Sequence, residues 1–432
     1  MERGFTMDQA VAEAARCLLC HDAPCSTGCP AGTDPDVFIR KLRLRNLKGA
    51  AALIKENNPL GGVSSVVCPT CSLCQAGCTA EGLDQPIRIG QLQRFLVEWA
   101  WDTGFQPLRA GAPTGKRVAV IGAGPAGLTC AAELARAGHG VTIFEAKAEP
   151  GGMLRYGIPE HRLSREFIRR EVRDVTDLGV EIRCGEAVAG DGGLDGLFGQ
   201  GYAAVYVATG AWLGLALDAT NRPEEGLLEA LAFLGLAKDD PDAAAGMVRG
   251  RQVAVIGGGD TAMDAAVTAQ LLGAADVYVL YRRSFTQMPG EAREKEQALA
   301  AGVHFMLLTQ PVDYLSDGPR LTGVSAVRTR LGAPDQSGRR RPVAVPDTEH
   351  VYDVDLVIEA IGLKPAAGTG ALGVATDDVG RVVITGAGGA TARAGVFSGG
   401  DAVRGPSLVA RAIGDGKAAA AAITATLVRG GA

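Results

Sequence analysis

Two stretches of the chain share one arrangement of apolar and polar positions. Residues 117–145, RVAVIGAGPAGLTCAAELARAGHGVTIFE, read as a buried strand, a glycine turn, a helix with small residues on one face, and a second strand. Residues 251–283, RQVAVIGGGDTAMDAAVTAQLLGAADVYVLYRR, repeat that arrangement, and an internal duplication of nucleotide-binding units is the simplest account. Each unit ends in an apolar strand running into a glycine, YAAVYVATG up to Gly210 and VDLVIEAIG up to Gly362. A last buried strand, GVFSGGDAV at 395–403, leads to Gly400 and Asp401 and then to the helix SLVARAIGDGKAAAAAITATL. Asp34-Pro35 reads as an N-cap and first helical residue for amphipathic helices over 37–58. The Gly, Asp and Pro content of 185–201 and 239–250 predicts loops, and 330–350 a polar hairpin whose arginines form a solvated face. The fold class that follows is α/β, with two Rossmann-like dinucleotide-binding domains preceded by a helical domain.

Composition changes this picture little, except through cysteine. A net charge of -5 gives no electrostatic reason to expect nucleic acid, and 47% hydrophobic residues supports several packed cores. No run of about 18 uncharged apolar residues predicts a membrane span, and the N-terminus lacks the apolar core of a secretory signal, so a cytoplasmic location is expected. In a reducing compartment ten cysteines point to metal or redox chemistry rather than disulfides, and eight of them lie between Cys17 and Cys78.

In the first unit Gly122, Gly124 and Gly127, with Pro125 and Ala126 between them, form GxGxxG after a strand. The first glycine permits the tight turn, the second lets backbone approach a pyrophosphate, and the third lets helix and strand pack closely. The helix N-terminus offers N–H groups to the pyrophosphate, and Glu145 stands where a ribose would be held. The second unit carries Gly257, Gly258, Gly259, Asp260, Thr261 and Ala262 at the same place. Its second strand ends at Tyr281 instead of an acid and is followed by Arg282 and Arg283, two guanidiniums suited to a 2′-phosphate. NADPH is therefore favoured over NADH.

Two nucleotide sites in one chain suit hydride transfer from nicotinamide to flavin. The chain resembles the two-dinucleotide-binding-domain flavoproteins, the fold of glutathione and thioredoxin reductases. That resemblance implies a split FAD domain, with Asp401 by the ribityl chain and further cofactor contacts at Gly152, Val188, Gly210, Gly362, Gly400 and Leu408. The implied division is 1–112 for a cluster domain, 113–248 and 356–432 for FAD, and 249–355 for the nicotinamide. Thioredoxin reductases carry a redox CxxC in the nicotinamide domain, whereas here no cysteine follows Cys184, so electrons must leave the flavin another way.

Cys17, Cys20, Cys25 and Cys29 stand as C-x2-C-x4-C-x3-C-P, and Cys68, Cys71, Cys74 and Cys78 as C-P-x-C-x2-C-x3-C. The first group is close to the bacterial ferredoxin spacing, in which the cysteine before proline serves a second cluster. Paired CxxC units also suit two tetrahedral zinc sites. RCLLCHDAPCSTGCP, NNPLGG, VCPTCSLCQAGC and IGQLQRF resemble the N-terminal iron–sulfur module of dihydropyrimidine dehydrogenases. From about residue 10 onward the chain is similar to their bacterial flavin-containing small subunit, the PreT type.

This resemblance implies one 4Fe–4S cluster on Cys17, Cys20, Cys25 and Cys78, and another on Cys29, Cys68, Cys74 and Gln93. It also implies FAD contacts at Met153 and Arg162 and NADPH contacts at Gly258 to Thr261 and Arg282. The partner it implies is an FMN-containing barrel subunit, PreA type, that reduces uracil or thymine within a hetero-oligomer. The chain departs from the family at Ser64, where relatives have cysteine, at the extra Cys71, and at Ser284, Phe285 and Thr286, where a further basic residue often follows the arginine pair. The last departure keeps NADH open as the coenzyme. No catalytic nucleophile or acid/base pair is evident. His21 beside the first cysteines reads as structural, and Arg40, Lys41, Arg43, Arg45 and Lys48 as a solvated helix face. The alternative enzyme is a glutamate synthase small-subunit-like oxidoreductase, and the alternative outside enzymes is a zinc-binding electron-transfer scaffold.

Overall fold

A computed structural model describes residues 4–188, 192–335, 338–366 and 368–429. The chain divides into two compact units, one made of the chain up to Arg155, Glu160–Ala211 and everything from Pro365, the other of Tyr156–Pro159 and Trp212–Lys364. The expected boundaries at 248/249 and 355/356 therefore fall inside the second unit. The reason is strand pairing: Leu227–Glu229 and Leu356–Glu359 are neighbours in the second unit's own sheet.

The first unit begins with helices α1 (Met7–Ala15), α2 (Pro35–Arg43), α3 (Leu47–Asn57), α4 (Gly61–Val67) and α5 (Ile89–Asp102). Phe38, Ile39 and Leu42 of α2, spaced at helical intervals, meet Ile54 of α3 and Leu92 and Leu96 of α5 in one core. Thr6 caps α1 with a reciprocal capping box through Gln9. Asp34 precedes α2 at φ 54° and makes no side-chain cap; its carboxylate instead accepts from Asn57 Nδ2 at 3.0 Å.

The same unit continues as a parallel sheet of β1 (Arg117–Ile121), β2 (Gly140–Glu145), β3 (Glu181–Cys184), β4 (Ala204–Val207) and β5 (Val396–Ser398), in the order β5-β4-β1-β2-β3. β1 and β4 are apolar at nearly every position because the central strands of a parallel sheet are covered on both faces. Helices α6 (Pro125–Arg136), α7 (Arg165–Thr176) and α8 (Val409–Arg429) belong to this unit. A Cβ at Gly416 would lie 2.5 Å from the Ala126 carbonyl, so a glycine is what lets α8 approach α6 so closely.

The second unit has its own parallel sheet in the order 227–229, 356–359, 252–256, 276–281, 304–307. Antiparallel strands at 309–317, 320–334, 340–344 and 350–353 adjoin it in sequence, and they include the expected hairpin. The stretch 239–250 is a helix rather than a loop: Asp240 accepts from the Ala243 N–H at 3.0 Å and Pro241 opens Pro241–Val248. Part of 185–201 is likewise helical, over Gly193–Gly199.

Candidate functional site

The structure gathers the cysteines of the helical module into two groups. Cys17, Cys20, Cys25 and Cys78 line one cavity of about 360 Å³, open mouth included, with Ile39 and Ile89 behind them. Leu19 and Asp22 take positive φ, 55° and 50°, to fold the loop between Cys17 and Cys25 around it. Burial pushes the Cys25 thiol up to about 11, aided by the Asp36 carboxylate and by Cys17 and Cys78. The other group is Cys29, Cys68 and Cys74, each within electrostatic reach of the others. Burial raises Cys68 strongly and pushes Cys74 up to about 12. Such thiols ionise only where a metal supplies compensating positive charge. Thiols spread along the walls of a cavity fit a polynuclear cluster better than zinc, which needs its ligands to converge on one point.

Cys25 of the first group also acts on Cys74, so the two groups adjoin. Cys71 is exposed on the 3-10 turn at 70–72, whereas Cys74 is buried. Gln93 lies on the buried face of α5, and its Nε2 donates to the Gly61 carbonyl at 2.6 Å and to Ser64 Oγ at 3.0 Å. With the nitrogen so engaged, the carbonyl oxygen is the end of the amide available to a metal. Asn58 Nδ2 donates to the same Ser64 Oγ and to Thr33 Oγ1, which in turn contacts Cys29 Sγ at 3.5 Å. Ser64 is thereby part of a hydrogen-bonded chain that runs from Gln93 through Asn58 and Thr33 to Cys29.

At the β1–α6 turn Gly122 has φ 103°, and a Cβ at Gly127 would lie 1.9 Å from the Gly122 carbonyl, so neither position accepts another residue. Gly124 caps α6 before Pro125 and Ala126, and a Cβ there would meet nothing closer than Gly152 at 3.8 Å, which leaves the backbone open to a phosphate. The Glu145 carboxylate, at the end of β2, accepts from the Ala123 and Lys147 N–H groups at 2.8 and 2.9 Å and is held in one orientation. Gly151 N–H donates to the Ala123 carbonyl, bringing Gly152 and Met153 back to the same turn. A Cβ at Gly400 would meet Ala126 at 2.9 Å, so the loop after β5 also arrives there.

Asp401 accepts from Ser407 Oγ at 2.8 Å, and burial pushes its carboxyl up to about 6. Leu408 immediately precedes α8, Gly210 follows β4 at φ 75°, and Val188 and Arg162 are half-buried in flanking loops. The residues around this turn fit a dinucleotide.

In the second unit Gly257, Gly258 and Gly259 lead into the helix Asp260–Leu271, with Thr261 and Ala262 in its first turn. A Cβ at Gly259 would enter open space, while Gly257 and Gly362 take positive φ on neighbouring strand ends. Asp260 accepts from the Glu291 N–H at 2.8 Å. Arg282 is exposed. Arg283 is not the second phosphate donor expected of it: its side chain is 9% exposed, pairs with Asp335 at 3.0 Å, and donates to the Arg340 carbonyl at 2.8 Å. It fastens the 330–344 hairpin, so the expected pair of guanidiniums reduces to Arg282.

Sequence reading missed the buried Lys55, which ion-pairs with Glu171 and, at 2.6 Å, with Asp174, tying α3 to α7. It also missed Lys417 on α8, whose ammonium reaches the carbonyls of Ala31 and Asn57. The only sequence signal for either was a lysine among apolar helix positions.

Residues 1–105 match the family described as dihydropyrimidine dehydrogenase domain II, 4Fe-4S cluster, and residues 116–416 match the pyridine nucleotide-disulphide oxidoreductase family. The chain is 43% identical over 301 residues to the NAD-dependent dihydropyrimidine dehydrogenase subunit PreT of Salmonella typhimurium, covering 69% of this chain and 71% of that one. It is 36% identical to the NADPH glutamate synthase small chain of Escherichia coli, covering 96% and 91%. Among solved structures, Mycobacterium tuberculosis FprA in complex with NADPH shares the fold at TM-score 0.62 and 18% identity, over 73% of this chain and 85% of that one. The chain accordingly belongs to the pyridine nucleotide-disulphide oxidoreductases, among the PreT and glutamate synthase small-chain relatives that use NAD(P)H, FAD and iron–sulfur clusters.

Proposed function

We propose that this chain oxidises NADPH, with NADH as the alternative, and passes the electrons through FAD and two 4Fe–4S clusters to a partner subunit in the cytoplasm. The partner is an FMN-containing barrel protein that reduces uracil or thymine to the 5,6-dihydropyrimidine, and the two form a hetero-oligomer. What supports this reading is that Cys17, Cys20, Cys25 and Cys78 share one cavity while Cys29, Cys68 and Cys74 act on one another electrostatically.

Bound FAD converts a two-electron hydride donor into a one-electron source, and the clusters carry single electrons. The protein's part is placement. The α6 N-terminus and Gly124 admit a pyrophosphate, Glu145 is fixed to accept from a ribose, and Asp401 is held by Ser407 at the far side of the same turn. Gly258 to Thr261 and Arg282 do the corresponding work for the nicotinamide coenzyme. Ser64 and Gly61 hold the Gln93 nitrogen and so present its oxygen. Leu18, between Cys17 and Cys20, is 48% exposed beside the first group, as suits a protein surface that meets another.

Glutamate synthase small-chain behaviour is the second reading, favoured by a match to that protein over nearly the whole of both chains. Two measurements decide. Anaerobically isolated protein should contain iron, acid-labile sulfide and FAD, and with an FMN barrel subunit it should oxidise NADPH only when uracil or thymine is present. Glutamine-dependent turnover with a glutamate synthase large subunit, and none with the barrel subunit, would replace this reading with the second.

A further inference from the structure

One polar side chain of α8 reaches the loop that carries Cys29. Lys417 Nζ donates to the Ala31 carbonyl at 2.8 Å and to the Asn57 carbonyl at 2.5 Å. Ala31 lies two residues beyond Cys29, and Cys29 is among the charges felt at the Lys417 ammonium. A Cβ at Gly414, one turn earlier, would lie 2.6 Å from the Pro30 carbonyl, so the helix is in contact with this loop.

Lys417 is partly withdrawn from water, and burial pulls its ammonium below its ordinary value. Its two hydrogen-bond acceptors here are neutral carbonyls. Glu133, itself paired with Arg136 at 2.9 Å, and the Asp34 carboxylate act on it, as does Cys29. A desolvated cation beside uncharged dipoles is unfavourable unless an anion lies within range. A cluster held by thiolates is such an anion, and reduction makes it more negative by one charge.

We infer that α8 raises the reduction potential of the cluster on Cys29, Cys68 and Cys74 through the positive charge that Lys417 fixes beside the Cys29 loop. A cation held there favours the reduced cluster over the oxidised one, because net charge is among the terms that set such potentials. The same segment holds Asp401 through Ser407, so the element that meets the flavin site also tunes an electron acceptor. The inference rests on the two-cluster reading of the proposed function.

The test uses the full chain isolated anaerobically, with iron, acid-labile sulfide and flavin measured first, followed by an EPR-monitored redox titration. Lys417→Gln keeps a donor for the two carbonyls and removes the charge, and Lys417→Arg keeps the charge. Lys417→Gln should make one cluster harder to reduce by roughly tenfold in its one-electron equilibrium, about 59 mV, and leave the other cluster unmoved. Lys417→Arg should stay near the unaltered protein. Full iron content with an unshifted midpoint in Lys417→Gln overturns the inference. So does a loss of iron in Lys417→Gln, whether or not Lys417→Arg retains it, which would make the lysine a structural staple. Unaltered protein without iron and sulfide would defeat the two-cluster reading instead.

Discussion

Arg282 and Arg283 are adjacent, alike in chemistry, and separated in role by their surroundings. Arg283 spends its guanidinium on Asp335 and the Arg340 carbonyl, whereas Arg282 faces solvent after the strand 276–281. Arg282→Gln should therefore raise KM for NADPH roughly tenfold to a hundredfold, the worth of about 1.5–3 kcal/mol for hydrogen bonds to a charged group, and leave KM for NADH nearly unchanged. Arg283→Ala should move both KM values alike and lower thermal stability. Steady-state kinetics with the two coenzymes, beside a melting curve, separates the cases. Sequence alone could place both arginines after a strand but not tell them apart, because Asp335 lies 52 residues away and their pairing is a tertiary contact.

Asp401 carries a second prediction at this scale. Burial raises its carboxyl to about 6, above an unfolded value near 3.9, so the flavin-free fold binds this proton more tightly than the unfolded chain does. The stability from the neutral carboxyl is complete below about pH 4 and is lost as pH rises toward 6. Asp401→Asn cannot ionise, so its stability relative to the unaltered apoprotein should climb between pH 4 and pH 6 and then level off. Chemical denaturation across that range measures the difference, and a flat difference would show that Asp401 is solvated.

Among the elements, α3 and α7 are joined by a polar contact that neither amphipathic pattern announced. Lys55 is 1% exposed and faces Glu171 and Asp174, while Glu171 also accepts from the Val63 N–H and Asp174 from Trp101 Nε1 at 2.8 Å. Lys55→Met leaves two carboxylates buried without their cation. It should cost about 3–5 kcal/mol in the unfolding free energy, read by denaturant titration. The periodicities of 117–145 and 251–283 told strands and helices apart because buried parallel strands and small-faced helices leave strong local signals. The helix at 241–248 was misread because its Gly, Asp and Pro content resembles a loop, although Asp240 and Pro241 are a cap and a first helical residue. Lys55 and Lys417 left almost no signal, since a lysine in a helix is normally solvated and only tertiary packing buries it.

For the molecule as a whole, the duplication and the cysteine spacing revealed the redox class, while the seams between units lay elsewhere than expected. The first unit is discontinuous: β5 and α8 come from the end of the chain, after Trp212–Lys364 has been passed. This has a consequence for biosynthesis. A ribosome delivers the loop after Cys29 hundreds of residues before it delivers Lys417, and β4 likewise precedes its neighbour β5 by the whole of the second unit. The Ala31 and Asn57 carbonyls therefore meet their ammonium donor only after the final helix has been made, so the first unit can complete its packing only late in synthesis.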